Sequence, residues 1–228
     1  MWQKAHPVGL RVWVIKSRTS ERHAKDKKQN AEFFVEDIKL RRLVDSFYKR
    51  AGISKVVIRK TAKEWEIIFF ASKVGLIMGK DGSKIKEFEN LILKKFNKVF
   101  KVSIKAVKIP ELSSRIMAEH IATQLEGRMP FRKVAKQVIA QVMEKGALWV
   151  KIRVWWRLWW VDIARNETFS KGRVPLQTLR ADIDYYYTVA STKYGALWIK
   201  VRVAKWEIYA KKSKQLLMKE IIDKVDGE

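Results

Sequence analysis

The stretch from residue 75 to residue 85 constrains the fold most, because two glycines bracket a polar pair between two apolar, helix-like runs. Glycine has no Cβ, so the backbone at Gly79 and Gly82 can approach another backbone that a larger side chain would hold away. The N–H groups that open the following helix can bind an anion, and Lys80 adds positive charge beside them. We therefore expect this loop to contact phosphates through Gly79, Lys80, Asp81, Gly82, Ser83 and Lys84.

The elements predicted on either side give this loop a context. Hydrophobic periodicity predicts a helix over 32–50 and strands over 53–59 and 66–71 before the loop, then a helix over 83–97 and a strand over 102–107. A lone G-x-x-G is a weak motif. In this order of elements, with the loop between two helices, it resembles the backbone-clamping loop of a type II KH domain (αββααβ).

The charge of the chain indicates the same kind of partner. Lysine and arginine number 49 against 24 aspartates and glutamates, which gives a formal net charge of +25 and a pI of 10.2. A charge this one-sided is matched by a polyanion such as nucleic acid. The absence of cysteine excludes disulfides, thiolate metal sites and cysteine nucleophiles, and it fits a reducing cytoplasm. No apolar run approaches the roughly 20 residues of a membrane span, so we expect a cytoplasmic protein without a membrane partner.

A second domain is predicted after residue 108. Pro110 and Glu111 are typical of the first turn of a helix, and periodicity predicts helices over 111–127 and 131–145, followed by four strands. The predicted fold class is therefore α+β, with two domains. The predicted divisions are an arm over 1–16, a type II KH domain over 17–108, a C-terminal domain of two helices packed on a four-stranded sheet over 109–210, and a charged helical tail over 211–228.

Two of the predicted strands begin alike, with Gly-Ala-Leu-Trp at residue 146 and again at residue 195. Period-two alternation predicts that each strand has one apolar face and one cationic face, with Lys151 and Arg153 on the cationic face of the first. The residues predicted to face the core from that strand are Leu148, Val150, Ile152 and Val154.

Several longer motifs carry a resemblance to one protein family. They are Q-K-x-H-P-x-G-x-R at 3–11, Q-L-E-x-R at 124–128, and G-R-V-P-L-x-T-L-R-A-D-I-D at 172–184. Together they make the chain similar to the bacterial family of small-subunit ribosomal protein three, the KH protein of the subunit head. The resemblance covers residues 3 to about 210 and leaves the tail uncovered.

The resemblance implies a structural protein that binds small-subunit rRNA and lines the channel through which messenger RNA enters. In the family, the cations that match Arg132, Lys133 and Lys136 face the incoming mRNA; on the residues alone, a merely solvated helix face is an equal alternative. The candidate rRNA contacts are Lys4, His6, Arg11, Lys151, Arg153, Arg157, Arg165, Arg173 and Arg180. The implied neighbours are small-subunit proteins four, five, ten and fourteen, with no homo-oligomer and no cofactor.

Two other functions stay open on the sequence. One is a stand-alone KH protein of RNA turnover or ribosome assembly, which would act as a free monomer. The other is an RNA-processing enzyme, but the chain has no H-E-x-x-H, P-loop or nucleophile elbow. Asp182 and Asp184 are more simply an alternating pair on a strand, and His6 and His23 lack partners at metal-ligand spacing. We therefore predict no catalytic residue and no metal.

The tryptophans are the oddest feature, because they equal the glycines at ten each. Compared with the family, eight of them stand where glycine is expected: Trp2, Trp13, Trp149, Trp156, Trp159, Trp160, Trp198 and Trp206. A UGA codon that the source reads as glycine, translated as tryptophan, would produce this pattern. One alternative is that Trp149 and Trp198 are real and stack on bases, since they share strand faces with cations. Another is that the tryptophans are ordinary core or surface aromatics.

Overall fold

A computed structural model describes residues 5–49, 51–61, 64–158, 162–173, 175–193 and 195–209. Within these ranges the chain forms five α-helices and eight strands in two α+β domains, which confirms the predicted fold class. The predicted tail over 211–228 lies outside the described residues.

The N-terminal domain is a four-stranded sheet in the order β1-β2-β3-β4, with three helices packed against it. The pair β2–β3 is antiparallel, whereas β1–β2 and β3–β4 are parallel. Leu40, Ile67 and Phe88 are completely buried between the helices and the sheet. The elements are β1 Ser20–Arg22, α1 Lys27–Phe47, β2 Ile53–Lys60, β3 Trp65–Ala71, α2 Val74–Met78, α3 Ser83–Phe96 and β4 Lys101–Ala106.

Two features at the start of this domain differ from the sequence prediction. The polar and charged composition of residues 17–30 predicts a loop or an irregular helix, yet these residues contain β1 and the first turn of α1. Strand β1 is three residues long and is held by Arg41, which donates to the Thr19 carbonyl at 3.1 Å and to Ser20 Oγ at 3.0 Å. So short a strand has no periodicity of its own, and its contacts with β2 and α1 hold it in place.

The C-terminal domain has an antiparallel sheet in the order β6-β5-β8-β7, with α4 and α5 on one face. Its core contains Val138, Val142, Ile152 and Val201, all fully buried. The elements are α4 Ser114–Glu126, α5 Phe131–Glu144, β5 Trp149–Trp156, β6 Arg165–Lys171, β7 Ala181–Thr192 and β8 Gly195–Glu207.

Strand β5 follows the predicted alternation only from residue 150 onward. Val150, Ile152 and Val154 are fully buried on the helix-facing side, whereas Leu148 is 54% exposed. The prediction for Leu148 was wrong because the strand begins at Trp149, one residue later.

The two domains meet at the start of α4. Residues Pro110–Leu112 form a 3-10 turn, so α4 begins at Ser114 rather than at residue 111. Ser113 shares a hydrogen bond of 2.7 Å with Ser54 of β2. The Ser114 N–H donates to Asp184 of β7 at 3.0 Å, so a carboxylate caps α4 from the sheet of its own domain.

Candidate nucleic-acid interface

The loop between α2 and α3 has the backbone shape that the sequence predicted to need glycine. Gly79 and Gly82 have φ values of 72° and 76°, a region that disfavours side chains. A Cβ on Gly79 would lie 2.8 Å from Lys84 Cγ, whereas a Cβ on Gly82 would meet open space. Gly79 is therefore required for both conformation and space, and Gly82 for conformation.

The cations of this loop face solvent. Lys80, Ser83 and Lys84 are exposed, and the side chain of Asp81 is not among those described. Gly82 is the N-cap of α3 and has no side chain with which to bond the first amide groups of the helix. These N–H groups and two lysines make one surface suited to an anion. Contact with RNA through it stays a prediction.

The exposed face of α5 carries the second predicted group of cations. Val134, Ala135 and Val138 bury the opposite face of this helix, so Lys133 and Lys136 point to solvent. Within the described ranges neither lysine has a carboxylate partner.

Arg132 differs from these two lysines because it is already paired. It donates to both carboxylate oxygens of Glu167 on β6, at 2.9 and 3.2 Å. The hydrogen bond and the charge of Glu167 raise the pKa of the Arg132 guanidinium. The side chain is nevertheless 70% exposed, so it can exchange Glu167 for a phosphate.

The face of the C-terminal sheet that the helices leave open carries four cations on two neighbouring strands. Lys151 lies opposite Arg202, and Arg153 lies opposite Lys200. Like charges directly opposite each other destabilise a sheet. Partial burial lowers the pKa of Lys200, and Arg153 and Arg202 lower it further. Lys200 and Arg202 were not among the predicted contacts, although their alternation with apolar residues already placed them on this face.

Aromatic rings lie among these cations. Lys200 Nζ is 4.5 Å from the ring centre of Trp155, and the guanidinium of Arg202 is 5.5 Å from that of Tyr185. Trp198 stacks on Trp155 with ring centres 6.0 Å apart. Trp149, by contrast, is completely buried, so the base-stacking alternative is wrong for that residue.

Arg11 requires a correction, because the structure buries it completely. Its guanidinium donates to the carbonyls of Ala181 at 2.7 Å, Pro7 at 2.9 Å and Thr178 at 2.9 Å. With its donors turned inward, it cannot reach RNA and instead fixes the arm to the C-terminal domain. Lys16 supports the same attachment through Asp182 at 3.0 Å.

His6 and Lys4 are the other candidates in the arm. His6 is exposed; its Nδ1 accepts from the Gly9 N–H at 3.1 Å, and its ring meets the edge of Tyr185. Partial burial lowers the pKa of His6, and the charge of Arg202 lowers it further. Lys4 lies outside the described residues.

The remaining candidates lie on loops and strand ends of the C-terminal domain. Arg157, Arg165 and Arg173 are exposed. Arg180 is exposed as well, but its Nε donates to Glu207 at 2.7 Å, and that hydrogen bond raises its pKa. Their contact with rRNA stays a prediction.

Catalytic and metal chemistry find little support in this geometry. Asp182 pairs with Lys16 and Asp184 caps α4, so both carboxylates have structural partners. No group of three or more metal-ligating side chains occurs among the described residues. In the same part of the chain, no helix has the length and apolar character that crossing a membrane requires.

Comparison with known proteins agrees with both halves of the fold. Residues 39–112 match the family model described as KH domain, and residues 121–203 match the model described as Ribosomal protein S3, C-terminal domain. The chain is 41% identical over 220 residues to small ribosomal subunit protein uS3 of Persephonella marina, covering 96% of each chain. It is 42% identical over 216 residues to the uS3 of Caldanaerobacter subterraneus, covering 95% of this chain and 97% of that one.

The chain belongs to the uS3 family. A third relative, the uS3 of Coxiella burnetii, is 40% identical over 212 residues and covers 93% of each chain. The resemblance found in the sequence is thereby confirmed. The uS3 family is one of structural ribosomal proteins, which also bears out the prediction that the chain is not an enzyme.

Proposed function

We propose that this chain is a structural constituent of the small-subunit head, where it binds small-subunit rRNA and contacts messenger RNA at the channel through which the message enters. Its uS3 relatives are named as small ribosomal subunit proteins, and they match nearly its whole length. The proposal places the chain on the ribosome in the cytoplasm.

The rRNA part of the proposal rests on the like-charged pairs of the open sheet face. Lys151 with Arg202 and Arg153 with Lys200 place four cations on two adjacent strands. Arg153 and Lys200, directly opposite each other, repel in the isolated chain, and Arg153 and Arg202 both lower the pKa of Lys200. A phosphate backbone lying across β5 and β8 removes the repulsion and releases counterions. The face is therefore better suited to an RNA-bound state than to a free protein.

The mRNA part rests on Lys133 and Lys136 of α5. Both are exposed, and they lie on the face of the helix opposite its buried residues. Lysine binds phosphate without reading the base, and a channel that passes messages of any sequence requires that property. We expect a smaller contribution from Arg132, because binding a message must first break its pair with Glu167.

The neighbours proposed for the chain follow from the family. Proteins four and five would adjoin it beside α5, and proteins ten and fourteen within the head. Crosslinking from Lys133 in intact subunits tests the first pair of neighbours.

Sucrose-gradient sedimentation tests the ribosomal assignment. The tagged chain should move with small subunits, and the variant Arg153→Glu/Lys200→Glu should shift toward the top of the gradient. Lys27→Glu/Lys28→Glu is a matched control: both lysines are exposed in the first turn of α1, where acidic residues are favourable. If the unaltered chain is recovered only as a free monomer, the stand-alone KH function is correct instead.

A translation assay tests the role of α5. The variant Lys133→Ala/Lys136→Ala should assemble normally but slow translation of a message with a stable hairpin, relative to an unstructured one. Arg132→Ala alone should have the smaller effect. Lys94→Ala/Lys95→Ala, in the exposed last turn of α3, controls for lost charge. Failure of assembly would show that the α5 cations anchor rRNA.

A further inference from the structure

The backbone conformation of two tryptophans is that of glycine. Among the described residues, four non-glycine residues have a positive φ, and two of them are Trp13 at 74° and Trp156 at 117°. The others are Asn97 and Arg128, at 51° and 61°. Asparagine tolerates the left-handed region, but for a bulky side chain a positive φ is a genuine outlier. At Trp156 the angle also lies well beyond the left-handed helical region.

Burial does not offset the backbone strain at either tryptophan. Trp13 is 75% exposed, and Trp156, the last residue of β5, is 43% exposed. Six described glycines share the positive φ, among them Gly195, which faces Trp156 across the sheet end. The backbone at both tryptophans thus has a conformation that glycine adopts without strain.

Trp149 shows a different misfit. It is completely buried, and its Nε1 has no hydrogen-bond partner within the described part of the chain. A buried indole N–H usually finds an acceptor. Trp65 gives the contrast: its ring meets the edges of Phe33 and Phe100, and Lys98 Nζ lies 4.2 Å from its centre. The N-terminal domain has a site shaped for Trp65.

The composition shows the same imbalance. An average chain of this length has about 16 glycines, whereas this one has 10 glycines and also 10 tryptophans. Replacing several tryptophans by glycine corrects the shortage and the excess together.

We infer that positions 13 and 156 carry glycine in the protein that the source organism makes. The same reassigned codon would account for the tryptophans at 2, 149, 159, 160, 198 and 206, where the resemblance to the family leads us to expect glycine. Their codons are then UGA, and the cell holds a glycine tRNA whose anticodon pairs with UGA. Trp65 and Trp155 remain tryptophan, encoded by UGG.

One consequence concerns the aromatic groove of the open sheet face, lined by Trp155, Trp156, Tyr187, Trp198 and Lys200. Two of its three indoles disappear when 156 and 198 are glycine. What remains is a flatter surface in which Lys200 and its neighbouring cations are more accessible to phosphates. Of the aromatic lining, only Trp155 and Tyr187 are then left.

Sequencing the gene and digesting the native protein test this inference independently of the ribosomal role. We expect UGA at the eight positions and UGG at 65 and 155. Mass spectrometry of peptides from the source organism should give the mass of glycine at positions 13 and 156. A UGG codon at either position, or tryptophan in either native peptide, overturns the inference.

The argument from the positive φ at residues 13 and 156 can be tested separately in recombinant protein. Trp13→Gly and Trp156→Gly should each raise the urea midpoint, because glycine adopts a positive φ without strain. Trp65→Gly should lower it, because it empties a packed site. A lower midpoint for both Trp13→Gly and Trp156→Gly would overturn the conformational argument.

Discussion

Replacing Arg11 should release the N-terminal arm while leaving both domains folded. Arg11→Met keeps the aliphatic stem and removes a guanidinium that donates to the carbonyls of Ala181, Pro7, Thr178 and Leu176, at 2.7 to 3.1 Å. Each buried acceptor left without a donor costs about 1–3 kcal/mol. Removing the guanidinium also removes the free-energy cost of desolvating it, which offsets part of this sum. That cost is reflected in the pKa of Arg11, which burial lowers. We expect a net loss of about 3 kcal/mol, within the range for breaking a buried charged interaction.

Hydrogen exchange measures this loss where it occurs. The amides of Arg11 and Lys16 are bonded within the arm, to the carbonyls of Val8 and Arg11. Their protection should fall about a hundredfold in Arg11→Met, since about 1.4 kcal/mol corresponds to tenfold. Amides of β5 and β8 should be unaffected. Arg18→Met, which removes an exposed arginine from the same segment, is the control. Unchanged protection at Arg11 and Lys16 would refute a structural role for the buried guanidinium.

Three further perturbations have expected outcomes. Lys80→Asp/Ser83→Asp should weaken binding of single-stranded RNA by the full chain and reduce the salt dependence of that binding. Filter-binding titrations at several salt concentrations measure both, and unchanged binding would show that the loop does not contact RNA. Lys200→Ala should stabilise the fold but weaken RNA binding. The lost repulsion should raise the free energy of unfolding by up to about 0.5 kcal/mol. A lower stability in a urea titration would contradict this expectation. Glu36 is partly desolvated, which raises its pKa, but hydrogen bonds from Lys98 and Lys60 lower the pKa below 4.5 overall. Its stabilising contribution is therefore present above about pH 4.5 and lost as the pH falls through the depressed value, so the urea midpoints of the unaltered chain and Glu36→Gln should converge in acid and differ at pH 7.

The elements with a clear period were predictable from the sequence. Helix α5 and strands β2 and β3 each repeat an apolar pattern over several residues, and their bounds differ from the prediction by one residue at most. Strand β1 carries no such pattern over its three residues. It exists because Arg41 and the edge of β2 bind it, and neither contact is local in sequence.

The sequence predicted the backbone shape of the glycine loop better than it predicted which individual cations are free to bind RNA. The shape of the Gly79–Gly82 turn follows from a local glycine pattern, whereas burial of Arg11 depends on carbonyls some 170 residues away. A basic residue in a basic arm predicts RNA contact by composition alone. Similarly, the pairing of Arg132 with Glu167 requires α5 and β6 to be packed together, which no local pattern specifies.

The contacts around Ser113 and Ser114 bear on how the chain folds during synthesis. The N-terminal domain completes its sheet with β4, which ends at Ala106, and Ser113 can then bond to Ser54 at once. The acceptor for the next amide is Asp184, 70 residues later in the chain. Until the ribosome has made β7, the first turn of α4 lacks this cap, whereas the bond of Ser113 to Ser54 is already available. The first turn of α4 thus receives its carboxylate cap only late in synthesis, 70 residues after Ser114 itself has been made.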